Sequence, residues 1–394
     1  MKIAFVTPWF GPSIPGGMES TTRRTAAQLQ AAGYEVEILT TCIRDFFSDW
    51  GKNYHPEGVT TELGVTVRRF RVSGRDRLAF QQLNIRLMNR QAISPHEEAI
   101  FAAEMFDCPQ LYSYIKEHCD EYFFFFIPYL FATTIFGATI CPERSIIIPC
   151  LHDEGYAYLD IFRQIIPKPR AMVLHVNAEL ELVEEIYGPS SSQIREVIGL
   201  GVDSDFVADG TRFRNKYELD EPFVLAVGRR EAGKNTPLLL AYWRRYIKEN
   251  GTNAKLVLVG PGEIVLHEEL SGHVVDLGFI PLQDKYDAYA AADLLCQPSV
   301  RESFSLVIME AWLTETPVLV NGRCDVTVEH CRRSNGGLYF TNYDEFAAAV
   351  DFLLVDDKIV RKLGQNGRQY VLANYEWSII VDRYKRLISE MQDA

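Results

Sequence analysis

The chain has 394 residues, 47% of them hydrophobic and 24% charged, which is typical of a soluble globular protein of two domains and excludes a disordered, collagen-like or coiled-coil chain. Lys and Arg total 40 against 53 Asp and Glu, for a net charge of −13. So acidic a chain is not expected to have the broad basic face that nucleic-acid binding requires, and an anionic membrane repels it on average. Net charge does not describe a single cleft, so a local basic pocket for a small anion is still allowed.

In the first half of the chain, apolar runs alternate with stretches of helical periodicity, which predicts a parallel sheet covered on both faces. A helix is predicted over 17–33. The uncharged segment 122–140 approaches the length of a membrane span, but Pro128 interrupts it, so we interpret it as a buried strand, a turn and a buried helix start. The predicted strands are 2–7, 36–41, 65–70, 122–127, 144–150, 171–177 and 194–202.

The same alternation begins again at residue 222, and two successive runs predict two doubly wound domains. The predicted strands are 222–228, 255–260, 274–280, 293–299 and 317–321, and the predicted helices are 237–249, 286–292, 305–313 and 377–391. We therefore expect domains over 1–199 and 200–375, with part of 376–394 packing back on the first. The hinge is expected over 199–206, which is rich in Gly and Asp.

The start of the chain and its cysteines favour a cytoplasmic protein. The apolar run after Lys2 is too short for a signal peptide. The eight cysteines are scattered, with no CxxC pair and no zinc-finger spacing, which predicts reduced thiols. The basic stretch that holds Arg75, Arg77 and Arg86 is open to two interpretations: a weak peripheral contact at the inner face of a membrane, or an acceptor-side helix, which its single charged face favours.

Ligands of open parallel sheets bind at the carboxyl ends of the strands, so residues that directly follow a strand are the site candidates. The loop GPSIPGGMES, 11–20, follows the first strand and opens a helix. Gly16 and Gly17 would let backbone N–H groups approach an anion there. Because GxGxxG and the acid of a dinucleotide site are missing, a plain strand-to-helix loop is the alternative.

Two further strand ends carry titratable side chains. In GRREAGKN, 228–235, Arg229 and Lys234 leave the end of a strand together, and two fixed cations suit a diphosphate. The alternative there is a solvated charged loop. In IIIPCLHDEGYAY, 146–158, His152 and two acids end a buried strand, which is typical of a site, although a hydrogen-bonded core histidine fits equally well.

A third strand end, ESFSLVIME, puts Glu302 and Glu310 eight residues apart around one helix start. Ser303 is the predicted N-cap, so that backbone N–H groups near Phe304 and Ser305 would face an anion. The two carboxylates can accept hydrogen bonds from sugar hydroxyls. The alternative is a capped amphipathic helix with an exposed Glu.

Metal binding is not expected. Asp203, Ser204 and Asp205 form a DxD sequence, a pattern that can hold a divalent cation, but they fall in the hinge and are typical of a turn. HExxH, EF-hand, P-loop and GxSxG motifs are missing from the sequence. We therefore expect no metal and no cofactor beyond a donor substrate.

Taken in order, these motifs resemble the retaining GT-B glycosyltransferases of family GT4, also named glycosyltransferase group 1. The resemblance rests on GR…K at 228–234 and E-x7-E at 302–310, supported by the Gly-rich loop and LHDE. It extends over most of the chain and is looser in the first half. The family fold is GT-B: two Rossmann-like α/β domains, each a doubly wound parallel sheet, with a cleft between them and a closing C-terminal helix.

The resemblance implies the catalytic set. His152 resembles the histidine near the reacting sugar face, and Glu302 the carboxylate that touches donor-sugar hydroxyls. Arg229 and Lys234 resemble the pair that holds the donor diphosphate. The spacing of this pair is one residue shorter than the commoner pattern, so Arg230 is expected to share the role.

It also implies the nucleotide-binding set. Gly16 and Gly17 resemble the loop that closes on the donor phosphates, and Glu310 the carboxylate that binds the ribose. Phe304 and Ser305 fall where backbone amides meet phosphate. Ser305 replaces a frequent Gly, which narrows that approach.

The function implied is a metal-independent, retaining transferase that moves a hexose from a UDP- or GDP-sugar to a glycan, a lipid-linked glycan or a small molecule, for example in polysaccharide biosynthesis. A nucleotide-sugar epimerase or a glycoside phosphorylase on the same scaffold is the alternative. A Rossmann dehydrogenase is disfavoured by the weak dinucleotide pattern. A non-catalytic binding protein is disfavoured by the presence of all four charged residues of the catalytic and ribose sites, which are Arg229, Lys234, Glu302 and Glu310.

Overall fold

The computed structural model describes residues 2–12, 14, 16–230, 232–355 and 357–393. Contacts within the chain separate it into two units, which are Met1–Gly201 together with Trp377–Ala394 (unit 1) and Val202–Glu376 (unit 2). Each unit is built on its own sheet with helices on both sides, as the alternating apolar runs predict.

Unit 1 contains an eight-stranded sheet in the order β3-β4-β2-β1-β5-β6-β7-β8. Neighbouring strands are parallel except for β3 and β4, which form an antiparallel edge pair. The strands are β1 Lys2–Thr7, β2 Val36–Thr41, β3 Gly58–Glu62, β4 Val65–Phe70, β5 Tyr122–Phe126, β6 Ser145–Ile147, β7 Ala171–Leu174 and β8 Ile194–Val197.

The helices of unit 1 cover a sheet whose central strands are apolar on both faces. In β5, the four phenylalanines at 123–126 are completely buried, which is the pattern of a strand with helices on both sides. The helices are α1 Gly17–Ala31, α2 Arg77–Met88, α3 Pro95–Ala103, α4 Pro109–Glu117, α5 Ala132–Gly137, α6 Asp160–Ile165 and α7 Asn177–Tyr187, with short 3-10 turns at Pro142–Arg144 and Gly155–Tyr158.

Unit 2 contains a six-stranded, wholly parallel sheet in the order β11-β10-β9-β12-β13-β14. Its strands are β9 Phe223–Val227, β10 Lys255–Val259, β11 Val274–Gly278, β12 Leu294–Gln297, β13 Val318–Asn321 and β14 Gly337–Phe340. Its helices are α8 Gly210–Tyr217, α9 Thr236–Asn250, α10 Leu282–Ala291, α11 Leu306–Leu313, α12 Asp325–Ser334, α13 Tyr343–Val355 and α14 Asp357–Asn374, with 3-10 turns at Ala232–Lys234 and Glu268–Leu270.

The last helix, α15 Trp377–Asp393, belongs to unit 1. Its buried stripe includes Tyr384, whose ring lies 6.0 Å from that of Phe125 in β5. Arg383 Nη1 donates to the carbonyl oxygen of Ile198 at 2.6 Å. The helix therefore packs its apolar stripe on the sheet of unit 1 and ties down the end of β8.

In unit 1 the expectation of reduced thiols is wrong for one cysteine pair, and two arginines of the basic stretch have partners within the protein. Cys119 and Cys141 are not free thiols: the fold brings their Cα atoms within 5.8 Å and the two sulfurs are bonded. Arg75 does not face a membrane, because its guanidinium is buried against the rings of Trp50 and Phe80. Arg86 forms an ion pair with Glu97 on the next helix. In the described ranges, none of the helices combines the length and apolarity that crossing a bilayer requires.

Candidate active site

A cavity lies at the carboxyl ends of β9, β10 and β12 in unit 2, the edge at which parallel sheets bind their ligands. Arg229 and Lys234 line it, together with Gly228 and Gln297. A Cβ at Gly260 would strike the carbonyl oxygen of Gly228, so glycine at 260 allows the loops after β9 and β10 to approach each other. The two predicted diphosphate-binding cations thus reach the same cavity from one loop, of which Glu231 lies outside the described residues.

Lys234 and Glu302 are in direct contact at this edge. Lys234 Nζ lies 2.7 Å from Glu302 Oε1, and Gln297 Nε2 donates to the same oxygen at 2.9 Å. The Glu302 side chain is 9% exposed and that of Lys234 is 27% exposed. A nearly buried carboxylate needs such partners, since an unpaired charge is costly away from water. Both bonds that the described residues make to this carboxylate arrive at Oε1.

Arg230 also lines the cavity, but its guanidinium already has partners within unit 2. It forms an ion pair with Asp276 in β11 and donates to the carbonyl oxygen of Leu258 at 3.2 Å. Its side chain is only 5% exposed. This arginine ties the loop after β9 to the neighbouring strands, and its charge is offset by an acid, so its share in binding phosphate stays a prediction.

The helix that follows β12 begins two residues later than the predicted cap requires. The N-cap of α11 is Ser305 and not Ser303, and it makes no side-chain capping bond. Ser305 has a left-handed backbone with φ of 71°, a conformation that favours Gly and costs other residues about 1 kcal/mol or more. Phe304 before it is buried, with its ring edge-on to His330 and Tyr375 at 5.0 and 4.9 Å. The ring of Phe304 thus anchors the turn whose backbone amides were predicted to meet phosphate.

Glu310 is nearly buried and held by two residues of α10. Lys285 Nζ lies 2.9 and 2.8 Å from its two oxygens, and the hydroxyl of Tyr289 donates to Oε2 at 2.9 Å. Burial and this carboxylate hold the pKa of Tyr289 well above its ordinary value, so the phenol stays a donor. The predicted ribose-binding carboxylate is therefore fixed in orientation by its neighbours.

In unit 1, the Gly-rich loop leads into α1. Gly16 is the N-cap with φ of 144°, a backbone conformation that other residues rarely adopt, so this position favours glycine. Glu19 in α1 accepts a hydrogen bond from Trp9 Nε1 at 2.8 Å. Space around Gly17 is open. Ser13 and Pro15 of the predicted motif lie outside the described residues.

His152 is half-buried in the loop after β6, and the residues on both sides of it are anchored. Asp153 is contacted by Arg90, two residues after the end of α2, whose Nη2 lies 3.1 Å from Asp153 Oδ2 and 2.7 Å from the carbonyl oxygen of Asp153. Glu154 accepts from the hydroxyl of Tyr129 at 2.9 Å. The backbone of this loop is therefore held by side chains from several elements of unit 1.

Two residues that sequence reasoning missed, His175 and Glu179, lie beside this loop. Glu179 in α7 accepts from the backbone N–H groups of Leu151 and His175, both at 2.7 Å. Burial raises the pKa of Glu179 to about 7, and the two N–H donors oppose that rise. Burial, with a contribution from His152, lowers the pKa of His175 to about 3. Two features of the sequence could have indicated them. His175 is a polar residue directly after the apolar run of β7, and Glu179 is an acid in the first turn of a helix.

The DxD residues lie in an irregular segment after β8. Ser204 Oγ donates to Glu376 Oε1 at 3.0 Å, and Val202 pairs with the same glutamate through its backbone. Among the described residues, no three His, Cys, Asp or Glu side chains are grouped as metal ligands. Of the predicted site residues, Arg229, Lys234 and Glu302 lie together at one edge of the sheet in unit 2. His152 and the Gly-rich loop belong to unit 1.

Residues 209–370 match the family model described as "Glycosyl transferases group 1". This region, which makes up most of unit 2, is thus similar to the group 1 glycosyltransferases. The matched region contains the cavity with its cations and both predicted carboxylates. The sequence-based assignment to this family and to a transferase activity is confirmed.

Relatives and a solved structure support the same assignment for this chain. It is 26% identical over 404 residues to D-inositol 3-phosphate glycosyltransferase of Nocardia farcinica, over 93% of this chain and 83% of that protein. It is 31% identical over 171 residues to an uncharacterised glycosyltransferase of Methanocaldococcus jannaschii, over 41% of this chain and 43% of that protein. Its fold is similar to that of Anabaena HepE in complex with UDP and glucose, with a TM-score of 0.70, 15% identity, and 99% and 100% of the two chains covered. The GT-B fold expected from the sequence is confirmed.

Proposed function

We propose that this glycosyltransferase transfers a hexose from a UDP- or GDP-sugar, with retention of configuration and without a metal ion, to a glycan, a lipid-linked glycan or a small-molecule acceptor. The observation that carries the proposal is the contact of Lys234 with Glu302 at the cavity that Arg229 also lines. A cation for the diphosphate and a carboxylate for the sugar are thereby adjacent, as the two halves of a nucleotide sugar are.

The chemistry follows from where charge develops. Departure of the nucleoside diphosphate leaves an oxocarbenium-like sugar while negative charge builds on the leaving oxygen. Lys234 and Arg229 stabilise that oxygen. The backbone N–H groups of Phe304 and Ser305, at the start of α11, stabilise the same negative charge. These protein groups supply the positive charge that a divalent cation supplies in other transferases.

Glu302 acts as a positioning and electrostatic group in this proposal. Since the described residues bond to its Oε1, its Oε2 is the oxygen offered to a donor-sugar hydroxyl. Glu310, oriented by Lys285 and Tyr289, accepts from the ribose hydroxyls. His152 of unit 1 contacts the reacting sugar, and the acceptor binds on unit 1.

Ligand binding tests the donor class first. The unfolding temperature is measured with UDP, GDP and NAD, and one nucleoside diphosphate should raise it while NAD does not. A shift with NAD alone contradicts the proposal. Support for UDP comes from the fold relative that was solved with UDP and glucose.

Turnover tests the reaction type. Donor sugars are screened with glycan, lipid-linked and small-molecule acceptors, including D-inositol 3-phosphate, the molecule in the name of a relative. Released nucleoside diphosphate is detected by mass, the anomeric configuration of the product by NMR, and the metal requirement by adding EDTA. An inverted product, or activity abolished by EDTA, contradicts retention or metal independence respectively.

The same screen separates the alternative enzymes on this scaffold. An epimerase converts the nucleotide sugar into another nucleotide sugar with no acceptor and no release of nucleoside diphosphate. A phosphorylase consumes inorganic phosphate and a glycoside. Either outcome contradicts the proposed transfer.

A further inference from the structure

The buried carboxylate of Glu179 joins two strand ends at the carboxyl edge of the sheet in unit 1. Its Oε1 accepts the N–H of Leu151, which follows β6, and its Oε2 accepts the N–H of His175, which follows β7. Both distances are 2.7 Å, and the residue is 1% exposed. Hydrogen bonds from backbone N–H to a carboxylate are among the stronger ones in proteins, and they are stronger still away from water.

The bond to Leu151 fixes the residue directly before His152. Leu151 follows Cys150, which has a left-handed backbone with φ of 51°. In any residue but glycine, this conformation needs support from the surrounding structure. Leu151 itself is buried at 2% exposure. The turn that presents His152 is therefore held at its first residue by Glu179.

The far side of the same turn is held independently, by Arg90 on Asp153 and Tyr129 on Glu154. Contacts on both flanks thus restrain the backbone of His152 relative to the sheet. His152 is also close enough to His175 to affect the pKa of that histidine. Glu179 therefore controls the backbone of two neighbouring histidines through one carboxylate.

We infer that Glu179 is a positioning residue of the transferase reaction, which acts by holding the turn that places the imidazole of His152 at the reacting sugar. This inference rests on the proposed function, in which His152 contacts the donor sugar. Glu179 touches no substrate in this scheme. Its effect is expected in turnover, since misplacing a group at the reacting centre lowers the rate more than it lowers binding.

The test compares Glu179→Gln with a matched control. Glutamine keeps the shape of the side chain but replaces one accepting oxygen by an NH₂ group. This group cannot accept a hydrogen bond from a backbone N–H. Glu98→Gln is the control, because Glu98 is also buried in unit 1 and also accepts two backbone N–H groups, from Asp160 at 3.2 Å and Ile161 at 3.0 Å. A merely structural role predicts similar effects of the two substitutions on activity.

Release of UDP from UDP-glucose and of GDP from GDP-mannose, with water as the acceptor, gives kcat and KM for full-length variants. We expect Glu179→Gln to lower kcat about tenfold, the loss of one charge-assisted hydrogen bond, with KM and the affinity for UDP within twofold of the parent. Glu98→Gln should retain the parental kcat. In a His152→Ala background, Glu179→Gln should lower kcat no further, because the group it positions is gone.

An activity-independent readout is the ring ¹H–¹⁵N spectrum of histidine-labelled protein, in which the signal of His152 is assigned by its absence in His152→Ala. Glu179→Gln should shift or broaden this signal, and Glu98→Gln should leave it in place. An unshifted signal, equal effects of both substitutions on kcat, or full additivity with His152→Ala overturns the inference. If the parent protein releases neither UDP nor GDP with any acceptor of the screen, or His152→Ala turns over normally, the proposed function fails instead, and the His152 signal alone decides whether Glu179 positions that residue.

Discussion

Lys234 offers the sharpest test of the proposed donor site. Lys234→Met keeps most of the aliphatic chain and removes the ammonium group that lies 2.7 Å from Glu302 Oε1. Because Lys234 lines the cavity and is partly exposed, its substitution changes the ligand site without opening the core. We therefore expect the protein to fold and its affinity for a nucleoside diphosphate to fall.

The size of the loss follows from the interactions removed. A hydrogen bond between a charged amine and phosphate contributes about 1.5–3 kcal/mol, which corresponds to a roughly 10- to 100-fold weaker Kd. Glu302 then keeps Gln297 as its hydrogen-bond donor but has lost its cation. At an effective dielectric constant of about 20, two like charges about 8 Å apart repel each other by about 2 kcal/mol, so the carboxylate opposes the incoming diphosphate.

This reasoning predicts an order among variants. Lys234→Met combined with Glu302→Gln should bind UDP or GDP more tightly than Lys234→Met alone, since the uncompensated carboxylate is gone. Lys216→Met is the matched control, because Lys216 also pairs with a buried carboxylate of unit 2, that of Asp284 at 2.6 Å. It does not line the cavity.

Isothermal titration calorimetry with UDP and GDP measures all four proteins, and salt dependence adds a second check, since an ionic contact weakens as salt rises. The reasoning is refuted if Lys234→Met binds both nucleotides as the parent does. It is also refuted if Lys216→Met loses as much affinity, or if the added Glu302→Gln lowers affinity further.

Four further predictions follow. Glu302→Gln should lower kcat at least about tenfold with little change in donor KM, since it removes charge near the reacting sugar, as steady-state kinetics will measure. Burial lowers the pKa of His330 to about 3 from 6.5, so stability should fall as pH drops below 6.5, and in urea unfolding His330→Gln should remove a slope of up to about 1.4 kcal/mol per pH unit. The Cys119–Cys141 bond closes a loop with a sequence separation of 22, and reducing it should cost about 3 kcal/mol, measured as a lower unfolding temperature with dithiothreitol. Ser305→Gly should stabilise the protein by about 1 kcal/mol, because φ there is 71°, and calorimetry measures it.

Each of these four has a contradicting result. For Glu302→Gln, it is an unchanged kcat with a higher KM for the donor. For His330, it is a variant whose stability depends on pH as that of the parent does. An unfolding temperature that dithiothreitol leaves unchanged would contradict the linkage of Cys119 to Cys141, and a less stable Ser305→Gly would contradict backbone strain.

Most of the strands could be predicted from the sequence because buried parallel strands appear as continuous apolar runs. The run at 122–127 predicts β5 to within one residue. The strands that were missed, β3 and β14, are edge strands. In β3 the residues are mostly exposed, so no apolar pattern marks it. Strand ends were overestimated, as at 144–150, because apolar residues continue past the last paired residue, Ile147.

The charged residues of the candidate site were predictable one by one, but their partners were not. Glu302 and Glu310 follow a predicted strand in a short motif, so sequence position alone selects them. Their partners Lys234 and Lys285 are 68 and 25 residues away, and only the folded sheet brings them together. For the same reason the ion pair of Arg230 was not predicted, since its acid, Asp276, is 46 residues distant.

The pairing changes how donor binding in unit 2 has to be understood. Glu302 is nearly buried and an unpaired charge there is costly, so Lys234 serves as its partner, and the cation predicted for the diphosphate is already engaged before any ligand arrives. A diphosphate therefore shares or replaces an existing ion pair, and its affinity reflects the difference between two contacts of similar strength. The carboxylate that loses part of its cation then becomes a better acceptor for the donor-sugar hydroxyl. Binding of the diphosphate and binding of the sugar are thus coupled through one pair of side chains, so a free nucleoside diphosphate should bind less favourably than the sum of its own contacts implies.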